Sequence, residues 1–332
     1  MPEELSNRAV DEKMEYLVVE RTDKLESCLR QVGTVFDISH ILNGPQARPQ
    51  IIHYYFTNKL TLLFYNWDGF FHYGISRNGK YETDDHKAHA RIIEGYVRQR
   101  NAKKVMELGS GLGPNIAFLA SRNPRVAFEG VDLSNKPLRR HATLPNARFC
   151  FGDYHDLSQF EDNSYDVIFV IEALCYSTDK PRVLREVRKK LRDGGLFIII
   201  DGYQRDRAEP LSFSEEVMWR LIAKSLACET IERVDVVENY MRKEFSVVVA
   251  QDLTELVAPS LFRFEPLARF YFSHPAIARA VNTFVPHDVA KNTIHILLMP
   301  ISVERQIGCY YIHVLQKISK FAFADLSKGR TG

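Results

Sequence analysis

From residue 104 onward, short apolar runs alternate with longer stretches whose apolar positions recur every three to four residues. The short runs have the length and β-branched content of buried strands, and the longer ones the periodicity of amphipathic helices. Strands are predicted at Lys104–Leu108, Val126–Asp132, Ala147–Cys150, Asp166–Ile171 and Leu196–Asp201. Helices are predicted between them at Pro114–Ser121, Pro137–Thr143 and Pro181–Leu191. Pro114 suits a first helical turn, where a missing N–H is no loss. Asp193-Gly194-Gly195 reads as the tight turn that ends one helix and launches the fifth strand. Strict strand–helix alternation builds a parallel sheet flanked by crossover helices, so the expected class is α/β.

Outside that stretch the rhythm changes. Residues 1–45 are charged and helical in pattern, and residues 85–100 read as a helix leading into the core. Between them, residues 50–75 concentrate aromatic side chains, among them Tyr54, Tyr55, Trp67, Phe70 and Tyr73. After Asp201, Ser212-Phe213-Ser214-Glu215 forms a capping box for a helix over Glu216–Ala227. A helix at Val234–Lys243 and strands at Phe245–Ala250 and Tyr310–Gln316 follow. Residues 252–308 separate those two strands with apolar helical segments, as expected of a cap over a substrate site. The expected organisation is a helical and aromatic lid at 1–85, a core at 86–251, a cap at 252–308, and a last core strand with its tail at 309–332.

Composition narrows the picture modestly. The chain has 332 residues, enough for one large domain with an insertion, and 45% of them are hydrophobic. Forty-four basic against forty-two acidic side chains leave a net charge of +2, which provides no field for nucleic acid or an acidic membrane. No N-terminal targeting pattern and no long apolar span is legible, so the expectation is a cytoplasmic protein without a transmembrane segment. Five scattered cysteines without a CxxC pair read as reduced, buried thiols, and no ligand spacing for structural zinc is present. The sequence is compatible with a homo-oligomer.

The chemistry concentrates in Val105-Met106-Glu107-Leu108-Gly109-Ser110-Gly111-Leu112-Gly113. A carboxylate ends a buried strand beside a turn free of side chains, which suits a small ligand with an ammonium group and close backbone approach. Asp132 ends the second strand, where a carboxylate can accept ribose hydroxyls. Asp153 follows the third strand, where it can accept from an adenine amino group. A nicotinamide fingerprint would need a third glycine at position 114, which is proline. With these residues in place, 104–201 resembles the core of class I S-adenosylmethionine-dependent methyltransferases. The resemblance implies a Rossmann-like sheet of seven strands with an antiparallel last strand. It also implies S-adenosyl-L-methionine as cofactor and S-adenosyl-L-homocysteine as product. The cofactor residues it implies are Tyr73, Glu107, Gly109, Gly111, Gly113, Asp132, Leu133, Asp153, Tyr154 and Ile171.

Two segments bear on the methyl acceptor. Ile171-Glu172-Ala173-Leu174-Cys175-Tyr176, after the fourth strand, resembles the matching segment of sterol C-methyltransferases and of geranyl diphosphate C-methyltransferases. Tyr54-Tyr55 and Phe64 to Ile75 resemble aromatic segments of the same two groups. The resemblance implies C-methylation of an isoprenoid alkene through a carbocation, with cyclisation an open outcome. Aromatic faces stabilise cations, and a carboxylate can remove the final proton. Glu172, Tyr176 and Tyr54 are the candidate catalytic residues, and Tyr55, Trp67, Phe70 and His72 the candidate substrate contacts. The expected partner is a small lipophilic acceptor. Mg²⁺ enters only if that acceptor is a diphosphate, since no DDxxD-like cluster is present. Arg139-Arg140-His141 reads as a solvated helix face with a diphosphate role as its rival. Methylation of nitrogen or oxygen in a small amine, phenol or quinone, and a non-catalytic S-adenosylmethionine-binding scaffold, are the competing readings.

Overall fold

The computed structural model describes residues 23–44, 53, 57–58, 69–134, 137–139 and 141–318. Tyr54, Tyr55 and Trp67 lie outside the described residues. The chain divides into two compact units.

The larger unit spans residues 60–206, 231–260 and 309–332. Its centre is a seven-stranded sheet: β1 Lys104–Leu108, β2 Ala127–Asp132, β3 Ala147–Phe151, β4 Tyr165–Ile171, β5 Leu191–Gln204, β6 Ser246–Asp252 and β7 Gly308–Gln316. The strand order is β3-β2-β1-β4-β5-β7-β6. The pairs β1–β2, β1–β4, β2–β3 and β4–β5 are parallel, and β6–β7 is antiparallel. Strand order therefore reverses between β1 and β4, the place where open α/β sheets bind ligands. The sheet is covered on both faces. Helix Ala88–Gln99 and helix Pro114–Arg122 cover one side through Ile93, Val97, Ile116 and Leu119. Helices Lys180–Lys190 and Val234–Glu244 cover the other through Val183, Leu184, Val187, Val237 and Met241. Each of these nine side chains is at most 2% exposed. At ~2 kcal/mol for each fully buried aliphatic side chain, these faces dominate the stability of the core.

The smaller unit gathers residues 1–59, 207–230 and 261–308. Here the helix Phe213–Ser225 opens with the expected capping box, in which the Ser212 and Glu215 side chains bond each other's backbone N–H. Helices Glu265–Ser273, Pro275–Phe284 and His287–Glu304 account for most of the helical pattern expected between the last two strands. Among the described residues no helix is long and apolar enough to cross a membrane.

Two local expectations fail for identifiable reasons. Among residues 137–143 the described ones are not helical, and 139 and 141–143 form turns. Leu138 N–H is spent on the Leu112 carbonyl at 3.0 Å, and His141, only 8% exposed, bonds that carbonyl through Nδ1 at 2.7 Å. His141 therefore pins the glycine turn and is not part of a solvated basic face. The fifth strand begins at Leu191, ahead of the predicted Leu196, because Leu191 already pairs with Tyr165. The Asp193-Gly194-Gly195 turn is retained as an irregularity inside that strand, where Gly194 has φ +78° and donates to Lys317 O.

Candidate functional site

The carboxyl ends of β1 to β4 bring the predicted residues to one edge of the sheet. After β1 the chain turns through Gly109, Gly111 and Gly113 at φ +69°, +51° and +80°. L-residues avoid this region, so the turn requires glycine. Space enforces the same choice at two of the three positions. A Cβ on Gly109 would sit 2.5 Å from Ala173 Cβ, and one on Gly113 would sit 2.5 Å from the Phe149 ring. A Cβ on Gly111 would meet nothing within 4 Å, which leaves this stretch of backbone open to a ligand. The turn is anchored by Gly109 N–H and Ser110 N–H, both donating to Val131 O, and by Gly111 N–H donating to Asp132 Oδ2 at 3.0 Å.

Asp132 is correspondingly committed. Its Oδ1 accepts from Ser134 N and Ser134 Oγ at 2.8 and 2.7 Å, which fills that oxygen. Oδ2 keeps one lone pair, so it is the atom able to take a ligand hydroxyl. Leu133 follows on the same loop and is half-buried. Asp153 Oδ1 is held by His155, through the backbone N–H at 3.0 Å and Nδ1 at 2.7 Å, and His155 Nε2 meets Ser177 Oγ at 2.8 Å. Tyr154 donates its hydroxyl to Ala173 O at 2.9 Å, fixing the turn after β4.

Glu107, at the end of β1, is 2% exposed. Oε1 accepts from the Asn115 amide at 2.8 Å, whereas Oε2 is buried with no hydrogen-bond partner. Burial, reinforced by the charge on Asp132 and opposed by the Asn115 bond, pushes its carboxyl up to about 8. An orphaned, buried carboxylate oxygen calls for a donor or a cation from a ligand. The Asn115 side chain that reaches Glu107 also meets His72. His72 is buried, desolvation lowers its proton affinity, and its Nδ1 faces Tyr73 O at 2.9 Å. Nε2 lies 3.3 Å from Asn115 Oδ1.

Glu172, at the end of β4, is built differently. It is a non-glycine residue at φ +46°, held there by its own N–H donating to Ile200 O on β5 at 2.9 Å. Strain of this kind concentrates at sites of function. Oε1 accepts two bonds, from Tyr73 N–H at 2.9 Å and from Tyr310 Oη at 2.7 Å. No described residue donates to Oε2. Desolvation raises this carboxyl to about 8, against the two hydrogen bonds and with help from nearby Asp201. Asp201, in β5, is also buried and raised to about 6, and it accepts from Cys175 N and Gly202 N. It thereby fixes the single 3-10 turn Leu174–Tyr176, which carries Tyr176.

The structure thus brings together Tyr73, Glu107, the three glycines, Asp132, Leu133, Asp153, Tyr154, Ile171 and Glu172. Ile171 is the last residue of β4 and is buried. Phe70 and His72 lie in a buried aromatic cluster. Phe70 stacks on His86 with ring centroids 6.4 Å apart, and His72 meets His89 at 4.3 Å. Three residues escaped the sequence reading: Asn115, His89 and Tyr310. Asn115 had a legible signal, a polar side chain in the first helical turn after the glycines. Among the described residues no cluster of His, Cys, Asp and Glu could hold a metal ion.

Comparison with known proteins follows the same lines. A family profile described as a methyltransferase domain matches residues 106–199. Trans-aconitate 2-methyltransferase of Deinococcus radiodurans is 34% identical over 118 residues, 35% of this chain and 44% of that protein. The 24-methylenesterol C-methyltransferase 2 of Arabidopsis thaliana is 21% identical over 240 residues, 70% of this chain and 66% of that protein. The aligned part is under two thirds of the length of either relative. The crystal structure of geranyl diphosphate C-methyltransferase from Streptomyces coelicolor A3(2) superposes with a TM-score of 0.57 at 17% identity. It covers 82% of this chain and 100% of that one, and at this identity the likeness is one of fold. Residues 106–199 thus match a methyltransferase domain, and the sheet order and glycine turn are those of the class I S-adenosylmethionine-dependent methyltransferase fold.

Proposed function

We propose that this protein transfers a methyl group from S-adenosylmethionine to carbon in an isoprenoid alkene, with Glu172 as the group that meets the resulting charge. The observation that carries the reading is Glu172 itself, a strained carboxylate at the end of β4 with two donors on Oε1 and none from a described residue on Oε2. Methylation of nitrogen or oxygen needs proximity more than an oriented carboxylate. The sterol and geranyl diphosphate C-methyltransferases among its relatives support a carbon acceptor.

The residues present fit the cofactor. Glu107 Oε2 would take its ammonium group, the open backbone at Gly111 would lie along it, and Asp132 Oδ2 would take a ribose hydroxyl. Asp153 and Tyr154 would border its adenine. When bound, S-adenosylmethionine supplies an electrophilic methyl on a sulfonium. The acceptor's double bond would take that methyl, the new carbon–carbon bond replacing the sulfur–methyl bond and a cation remaining on the acceptor. An ionised Glu172 stabilises that cation and accepts a proton from the carbon beside it at Oε2, restoring a double bond. Tyr176 and Tyr54 are proposed to border the cation, and Tyr55, Trp67, Phe70 and His72 to shape the acceptor pocket. With a diphosphate acceptor, Mg²⁺ would arrive with the substrate.

The test is incubation with methyl-labelled S-adenosylmethionine against prenyl diphosphates, sterols, quinones and small amines. Label should enter only alkene-bearing isoprenoids. Label in an amine, phenol or carboxylate with none in the isoprenoids would replace this reading.

A further inference from the structure

Behind Glu172 lies a row of buried groups contributed by distant parts of the chain. Tyr310, on β7 and 4% exposed, donates from Oη to Glu172 Oε1. His89, on helix Ala88–Gln99 and 0% exposed, places Nε2 2.9 Å from the same hydroxyl. Tyr310 has one proton to give, and when Glu172 is ionised that proton points to the carboxylate. His89 must then donate from Nε2, which leaves Nδ1 bare. Nδ1 is indeed buried with no hydrogen-bond partner. His89 stays neutral because burial and its neighbours His72 and His86 oppose a positive charge. The row therefore runs in one direction, from His89 N–H to Tyr310 O–H to Glu172.

We propose that Tyr310 and His89 are positioning residues for Glu172, holding Oε1 so that Oε2 is the edge that accepts the acceptor's proton. The inference rests on the role proposed above for Glu172. A donor to Oε1 stabilises the ionised carboxylate, so the pair also sets the pH at which the base becomes active. The other groups around Glu172 are Tyr73 N–H, which acts in the same sense, and Asp201, which opposes it. Around His89 stand His72, His86 and Tyr310. None of these is a fixed cation that could replace the Tyr310 hydroxyl.

The experiment follows the Glu172 carboxyl directly, by infrared difference spectroscopy of the full-length protein across pH, with Glu172→Gln identifying its band. Tyr310→Phe keeps the ring and removes the donor. Its Glu172 titration should move up by about one pH unit, the scale of a lost hydrogen bond to a charged group. The acid limb of its turnover profile should move with it, while S-adenosylmethionine binding stays at the wild-type value. His89→Leu should shift the titration in the same direction, and His89→Gln, which restores an N–H donor, should return it toward wild type. If His89→Leu fails to fold, the Tyr310→Phe titration decides alone. Wild-type titration in Tyr310→Phe would overturn the proposal. The spectrum also separates this inference from the reading beneath it. Full turnover in Glu172→Gln would remove Glu172 from the reaction, and the shift in Tyr310→Phe would still register the contact.

Discussion

The ends of β1 and β4 are neighbouring strand ends that each present one glutamate, Glu107 buried and Glu172 half-buried, and the two are bonded differently. Burial pushes both Glu107 and Glu172 up to about 8. Glu107 keeps Oε1 on a neutral amide and leaves Oε2 orphaned in the interior. Glu172 takes two donors on Oε1 and stands at a left-handed backbone angle. Under the proposed function the first holds a cation that stays bound. The second is an oriented carboxylate whose proton affinity is set by its partners. Desolvation alone does not distinguish a binding carboxylate from a reacting one; the count and direction of donors does.

The largest expected effect breaks this comparison at the reacting end. Glu172→Gln should lower turnover by about 10²- to 10⁴-fold, the usual range for a general base, with cofactor affinity unchanged by calorimetric titration. Glu107→Gln should do the reverse. Loss of a charged contact worth about 1.5–3 kcal/mol weakens S-adenosylmethionine binding by roughly 10- to 100-fold, and turnover at saturating cofactor should fall far less. Equal losses of affinity in both variants would erase the distinction.

Gly109→Ala tests whether the two ends share a wall. The new Cβ would press on Ala173, next to Glu172, from a backbone angle that L-residues avoid. Destabilisation of ~1–3 kcal/mol by thermal unfolding is expected, together with losses of both affinity and turnover.

The smallest effect is on stability against pH. A carboxyl whose folded value is raised binds its proton more tightly in the native state. The stabilisation is complete below the ordinary value of 4.5 and is lost as pH rises through about 8. Without cofactor, the melting temperature of the wild type should fall across that window more steeply than that of Glu107→Gln. Parallel curves would mean that Glu107 is ionised throughout.

The fold was legible where periodicity and punctuation agree. The alternation from Lys104 to Asp201, the glycine turn and the capping box at Ser212 are all local patterns. Residues 137–143 misled because helical propensity there is overruled by a tertiary bond to the Leu112 carbonyl. The positions of Glu107, Asp132 and Asp153 were legible because each lies at or just past a strand end. The partners of Glu172 were not. Tyr310 is 138 residues away in sequence and His89 is 221 residues from Tyr310, so only the folded sheet brings them together. Among the described residues the Tyr310 hydroxyl, from β7, is the one that donates to Glu172.

The most direct measurement uses an alkene-bearing prenyl acceptor deuterated on the carbon next to the double bond, with methyl-labelled S-adenosylmethionine and NMR of the product. The account predicts the methyl group on carbon and one deuterium lost from the adjacent position, with neither event in Glu172→Gln. A methyl group on oxygen or nitrogen, or product formation by Glu172→Gln at the wild-type rate, would contradict it.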